Sequence, residues 1–449
     1  MTRAFAAAVL GIAIIMAASI TSLTAADNGK QVGFGPNPQL PKPDQSLVPT
    51  INVARAVGWT IGEKPSAPSD LAVTAYATAL DHPRWIYTLP NGDVLVAETN
   101  GPQRPQDGKG LKAWFAGLFQ TFAGAYAPSP NRIILLRGVK ADGSAEARHI
   151  FLEGLNSPFG MALVGNTLYV ANTDALVKFE YHPGDTRITT PVIKVADLPA
   201  GPINHHWTKN VIANADGSRL YVTVGSNSNV AENGIDKEAN RAAILEIDPK
   251  TGASRLYASG LRNPNGLGWD PATGALWTVV NERDELGNNL VPDYLTSVKD
   301  GAFYGWPFSY FGQHVDDRVK PQRPDLVAKA TVPDYGLGAH TASLGLAFSS
   351  ERSLPERLAH GVFVGQHGSW NRSTPSGYKV IFVPFANGKP AGDPQDVLTG
   401  FLDASSNARG RPVGVAIAAD GALLVADDVG DTIWRVTANR RTSALTPQN

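Results

Sequence analysis

Beyond residue 70 the chain alternates short apolar runs with turns rich in Gly, Asp and Asn, and most runs stop after about six residues. One phrase recurs six times. A polar residue or Pro opens it, a short apolar stretch and a Gly/Asp/Asn turn follow, and an alternating strand closes it in small polar residues. The first copy runs from His82-Pro83-Arg84-Trp85 through Asn91-Gly92 to Val94-Leu95-Val96-Ala97-Glu98-Thr99, and the second from Asn156-Ser157-Pro158-Phe159-Gly160 to Leu168-Tyr169-Val170-Ala171-Asn172-Thr173. The third opens on His205-His206 and ends in Leu220-Tyr221-Val222-Thr223-Val224-Gly225; the fourth opens on Arg262-Asn263-Pro264-Asn265-Gly266 and ends in Val279-Val280-Asn281-Glu282. Thr341-Ala342-Ser343-Leu344-Gly345 leads to Val364-Gly365-Gln366-His367, and Arg411-Pro412-Val413-Gly414 leads to Leu424-Val425-Ala426-Asp427-Asp428.

Copies spaced roughly 50 to 80 residues apart leave room for one four-stranded blade of about 40 residues each, plus insertions. The pattern predicts an all-β fold: a six-bladed propeller of four-stranded antiparallel sheets over 71–438. Successive strands of a blade run antiparallel, so the residues that open each copy and those that close it gather at one mouth of the central channel. That collects Arg84, Asn156, His205, Arg262, Asn263, Glu282, His367, Arg411 and Asp427 from distant positions. Residues 27–70 hold Gly33, Gly35, Pro36, Pro38, Pro41 and Pro43 with little periodicity and read as an extended arm; 439–449 is a tail. Within the first blade, Trp114, Leu118 and Phe122 recur at helical spacing, which predicts a short helical insertion in 110–124, packed on the propeller or docking an electron acceptor.

The first residues give a compartment. Arg3 precedes an unbroken stretch without polar side chains from Ala4 to Ala18, and Thr24-Ala25-Ala26 has the small residues a signal peptidase reads. As a helix that stretch spans about 22 Å, short of a bilayer's roughly 30 Å core. Residues 1–26 therefore read as a cleaved secretory signal, the mature chain having no stable membrane span and a periplasmic or secreted location. The absence of Cys agrees with an oxidising compartment and removes thiolate chemistry and Cys-ligated metals. With 39 Lys and Arg against 40 Asp and Glu, the chain lacks the basic excess of a nucleic-acid binder.

The mouth offers imidazoles, guanidiniums and amides. A neutral imidazole at His205 or His206 is a natural base for a hydroxyl proton. Arg262-Asn263 suits a fork on a carboxylate or quinone oxygen. Arg409 and Arg411, at i and i+2, project to one side of an extended segment toward one multivalent anion. The segment Asn281-Glu282-Arg283-Asp284-Glu285 is rich in oxygen donors without the order of an EF-hand, which leaves an irregular calcium loop open.

Three phrases in order, Gly260-Leu261-Arg262-Asn263-Pro264-Asn265-Gly266-Leu267, then Asn281-Glu282-Arg283-Asp284-Glu285-Leu286-Gly287, then Phe303-Tyr304-Gly305-Trp306-Pro307, resemble the glucose and sorbosone dehydrogenase family, soluble six-bladed propellers using pyrroloquinoline quinone (PQQ) and calcium. His205-His206-Trp207-Thr208-Lys209-Asn210 and Gly410-Arg411-Pro412-Val413-Gly414 are more similar to its L-sorbosone branch, and the resemblance spans about residues 70–438. It implies hydride transfer from a sugar or sugar aldehyde to the quinone, with His205, four residues before Lys209, as the base. It further implies Arg262, Asn263, Arg409 and Arg411 around PQQ, with His367 and Arg372 as further candidates, and backbone carbonyls of Glu282 and Arg283 on Ca2+. The Gly-Pro pair that holds the ion in the glucose-oxidising branch is absent. A periplasmic cytochrome or quinone is the implied electron acceptor. The rival reading is a calcium-dependent lactonase on the same fold, with Glu98, Asn172, Glu282 and Asp427 around a central metal.

Overall fold

The computed structural model describes residues 32–44, 51–102, 128–350 and 353–439. The expected signal sequence, the expected helical insertion and nearly all of the tail lie outside the described residues. Six antiparallel sheets of four or five strands follow one another along the chain. Blade 1 is Pro83–Thr88, Val94–Glu98, Arg132–Arg137 and Ala147–Leu152; blade 2 is Met161–Val164, Thr167–Ala171, Ala175–Glu180 and Ile193–Asp197. Blade 3 is Val211–Ala213, Leu220–Val224, Ala243–Ile247 and Ser254–Ser259; blade 4 is Pro264–Trp269, Leu276–Val280, Pro292–Ser297 and Tyr335–Ala339. Blade 5 is Ser343–Phe348, Gly361–Gln366, Lys379–Ala386 and Gln395–Leu398, and blade 6 is Pro412–Ile417, Leu423–Asp427, Thr432–Ala438 and Leu71–Ala77. The ring closes by that last pairing: Leu71 lies opposite Ala438 and Ala77 opposite Ile433, so a strand from before blade 1 completes the final sheet.

The second strand of each blade is buried throughout, Thr167 of blade 2 excepted, with both faces covered by neighbouring blades, which explains its near-continuous apolar run. Hydrophobic clusters sit between adjacent blades, for example Tyr169, Leu176, Leu220 and Leu245 between blades 2 and 3. The glycine in the repeated phrase has a physical cause. A Cβ on Gly160 would stand 2.4 Å from the backbone N of Val211, on Gly266 2.6 Å from Leu346 N, and on Gly345 2.2 Å from Val413 O. Each glycine lets one blade's inner strand press against the next. Gly160→Ala is expected to lower stability by about 1–3 kcal/mol through overpacking, read as a lower thermal midpoint.

The described residues of the arm are tied to the ring at several points. Phe34–Gly35 adds a fifth strand to blade 4, Ala56 bridges Ala408, and Ser66 bridges Thr399. The long connection between the last two strands of blade 4 carries a hairpin, Ser309–Tyr310 with His314–Val315, and a single helical turn, Pro324–Val327.

Candidate active site

Every phrase opening and closing lands on the same rim, because the inner strand starts where its antiparallel neighbour ends. The third-blade phrase supplies the imidazoles. Lys209, buried beneath its own segment, donates Nζ to Trp207 O at 3.1 Å and lies 3.5 Å from His206 O, fixing that backbone. Burial drives the Lys209 ammonium well below its ordinary pKa.

His206 is the ring held in one orientation. Its Nδ1 stands 2.9 Å from Ser226 O and 3.0 Å from Ser226 Oγ. The Ser226 hydroxyl gives its only hydrogen to Ser228 O at 2.6 Å, so toward His206 both serine oxygens accept. Nδ1 therefore carries the proton and Nε2 keeps the lone pair a base needs. A Cβ on Gly225 would stand 2.4 Å from both His206 Cβ and Asn263 Oδ1, so the imidazole and the Arg262-Asn263 phrase flank one glycine. His205, half-buried, precedes it on the same segment.

Arg262, 4% exposed, is gripped by oxygens: Nη1 donates to Glu282 O at 2.6 Å and Asn281 O at 3.3 Å, and Nη2 to Asn229 Oδ1 at 3.0 Å and Asp284 Oδ2 at 3.4 Å. Asp284 takes Asn371 Nδ2 at 2.7 Å, and His340 lies 3.4 Å away. The side chain of Glu282 is buried, which pushes its carboxyl up to about 7, while its backbone N donates to Asp293. The side chain of Arg283 points away from the mouth, 3.2 Å from Asp316 of the blade 4 connection.

Blades 5, 6 and 1 build the other side. Asp428 receives His367 Nε2 at 2.9 Å, with Arg84 at 3.3 Å and His82 at 3.7 Å. Burial opposes ionisation of Asp428, yet the neighbours His367, Arg84 and His82 hold it well below the usual carboxylate range. Burial outweighs the same carboxylate at His367 and brings that imidazole down to about 4. Arg84 also stacks 5.7 Å from the Trp207 ring. Arg411, 6% exposed, donates Nη2 to Tyr378 Oη at 2.9 Å and lies over that ring at 5.1 Å. Arg411 makes no ion pair with a carboxylate among the described residues.

The expected Arg409–Arg411 pair does not converge. Arg409, about a third exposed, reaches Glu63 of the arm at 3.4 Å, whereas Arg411 is committed to Tyr378; Arg84 is a second buried guanidinium close enough to Arg411 to feel its charge. Arg372 donates to Asn288 O and Asn289 Oδ1 on the blade 4 loop, at 2.9 Å each. The carboxylates of the rival lactonase set are also dispersed. Glu98 is taken by Arg132 and Arg148, and Asp427 by the backbone N of Arg411 and Gly430 and the indoles of Trp59 and Trp434. Asp427, the last residue of its strand, turns inward, and Asp428, in the turn that follows, faces the rim. Ser226, Tyr378 and Asp428 were missed by sequence reading, although the doubled acid closing the sixth phrase was a visible signal.

Burial raises the Asp427 carboxyl to about 6. The native state then keeps a proton that the unfolded chain releases, so this contribution is full below the ordinary carboxylate value near 3.8 and is lost as pH rises through about 6. The span corresponds to at most about 3 kcal/mol. Thermal midpoints of wild type minus Asp427→Asn are expected to fall between pH 4.5 and pH 7.5; a constant difference would contradict it.

The model of the TrAA12-like family matches residues 139–296 and 318–439. An uncharacterised protein of Borreliella burgdorferi is 29% identical over 365 residues, covering 78% of this chain and 90% of that protein. The aldose sugar dehydrogenase YliI of Escherichia coli is 24% identical over 345 residues, covering 71% of this chain and 82% of that protein. Among solved structures, the holo form of the pyranose dehydrogenase PQQ domain from Coprinopsis cinerea superposes with a TM-score of 0.69 at 20% identity, covering 86% of this chain and 100% of that one. That likeness bears out the six-bladed fold.

Proposed function

This chain belongs to the TrAA12-like family, and from that membership together with the geometry of the mouth we propose that it is a sugar dehydrogenase that works with PQQ. The observation that carries this reading is Arg411: a guanidinium 6% exposed, without a carboxylate partner among the described residues, calls for an anion. The rest of the mouth agrees. Arg84 Nε, Arg262 Nε and Arg411 Nε are buried donors without hydrogen-bond partners, a set suited to a flat tricarboxylate, while Asn263 Oδ1 is a buried acceptor without one. Arg411, Arg84, Arg262 and Asn263 would hold it.

When bound, PQQ supplies the two-electron acceptor for hydride leaving the sugar carbon. His206 Nε2 removes the hydroxyl proton of that carbon, as a base whose other nitrogen is locked by Ser226. Lys209 keeps the His206-Trp207 backbone from shifting. Arg262 sets a fixed positive charge beside Asn263, favouring negative charge that develops on an oxygen placed there. For an aldehyde of the sorbosone type, the hydrated gem-diol takes the alcohol's place and an acid results. The proposed base is thus His206, next to the His205 expected from sequence.

Calcium at the Glu282 and Arg283 carbonyls does not fit the residues as arranged. The Glu282 oxygen already takes Arg262 Nη1 at 2.6 Å, which sets a permanent cation against the ion's seat. No step is assigned to it. The apolar leader supports a periplasmic setting with a cytochrome or quinone as acceptor, and no helix among the described residues is long and apolar enough to cross a membrane.

The test is direct. Purified protein mixed with PQQ is expected to gain bound-quinone absorption and dye-linked oxidation of aldoses or sugar aldehydes. Lactone hydrolysis without quinone, and no quinone uptake, would favour the lactonase instead.

A further inference from the structure

A cleft of about 610 Å³ opens between the outer end of blade 1 and blade 2, within the roughly 300–1,000 Å³ typical of small-molecule sites. It is lined by none of the residues assigned above to the base or the quinone. Its floor is apolar, formed by Leu155, Phe179 and Ile188, each buried. Its edges carry Asn156, Asn172, Asp174 and the hydroxyls of Thr189 and Thr190.

Two observations define what fits there. Asn172 is 6% exposed and its Oδ1 is buried without a hydrogen-bond partner, although its backbone N is satisfied by Ala175 O at 2.9 Å. An unmatched buried amide oxygen costs stability unless a ligand group meets it. The cleft's cations are already neutralised: Arg187 pairs with Glu153 at 2.6 Å and Lys194 with Asp197 at 2.8 Å. An anion therefore finds no free charge, and the lining suits a neutral molecule with many hydroxyls and an apolar face. A pyranose ring is such a molecule: its C–H face rests on an apolar floor while its hydroxyls meet amide and hydroxyl groups at the edge.

The cleft also abuts the mouth. Thr173, next to Asn172, donates its backbone N to Asn156 O at 3.0 Å and its hydroxyl to Trp207 O at 3.0 Å. The inner wall of the cleft is thus bonded to the residue that follows His206. We infer that this cleft is a saccharide subsite that receives the non-reacting sugar units of an oligosaccharide whose terminal unit is oxidised at His206. The inference rests on the sugar dehydrogenase reading for its reaction, but not for its binding.

The experiment has two arms. In the first, isothermal titration of the quinone-free protein with a glucose-series trisaccharide is compared with glucose; the trisaccharide is expected to bind at least about tenfold more tightly, a gain removed by Asn172→Ala. Because Asn172 is buried, Thr190→Trp, which fills the cleft from its exposed edge, is the second variant and is expected to remove the gain as well. In the second arm, kcat/KM of the quinone-loaded enzyme is expected to be about tenfold higher for the trisaccharide than for glucose, both variants lowering only the trisaccharide value. Equal binding of the two sugars, or a trisaccharide preference that survives Thr190→Trp in a folded protein, overturns the subsite. Trisaccharide binding without oxidation of either sugar sinks the dehydrogenase reading and leaves the cleft standing as a binding site.

Discussion

His206→Ala is expected to lower kcat by about 10²–10⁴-fold at saturating quinone, the usual range for removing a general base, while the affinity for PQQ stays near the wild-type value. His205→Ala is expected to leave kcat close to wild type. The asymmetry follows from one serine. Ser226 accepts from His206 Nδ1 through its carbonyl at 2.9 Å and its hydroxyl at 3.0 Å, and that hydroxyl spends its hydrogen on Ser228. Nε2 is left as the proton acceptor. Ser226→Ala keeps the carbonyl contact and loses the hydroxyl one, so kcat is expected to fall less, by about tenfold. Stopped-flow reduction of the bound quinone separates these outcomes from slow product release. The reverse pattern, a dead His205 variant beside an active His206 variant, would return the base to the first imidazole.

The second large effect belongs to Arg411. Arg411→Ala is expected to weaken PQQ binding by about 10- to 100-fold, the loss of one buried charge-assisted contact, with kcat largely kept once the quinone is in excess. Arg409→Ala is expected to change affinity little, since that side chain pairs with Glu63 at the surface, where ion pairs contribute about 0–1 kcal/mol. Quinone titrations followed by absorbance measure both. Equal losses in the two variants would show that both guanidiniums grip the cofactor and that the Glu63 contact gives way on binding.

The contrast between these pairs shows how far residue order carries. Six repeats of one strand–turn–strand phrase announce the propeller, because the apolar alternation, the turn residues and the glycine that four of the six phrases keep act within a few positions of one another. Gly160, Gly266 and Gly345 are required by the close approach of neighbouring inner strands, and that demand recurs in each blade where the phrase keeps its glycine. The same repetition identifies the rim, since antiparallel neighbours return to the end from which they started.

Local order therefore names the residues at the mouth and their chemical kinds. It does not choose among them. His205 and His206, Asp427 and Asp428, and Arg409 and Arg411 are near-twins in sequence, and each pair is divided by partners that folding brings from elsewhere. Ser226 locks one imidazole from 20 positions away. Trp59 captures one acid of the last phrase from 368 positions away, leaving Asp428 for His367 and Arg84. Tyr378 claims one arginine while the arm's Glu63 draws off the other. Tautomer, charge and direction are fixed by such distant contacts, and they exist only once the ring has closed.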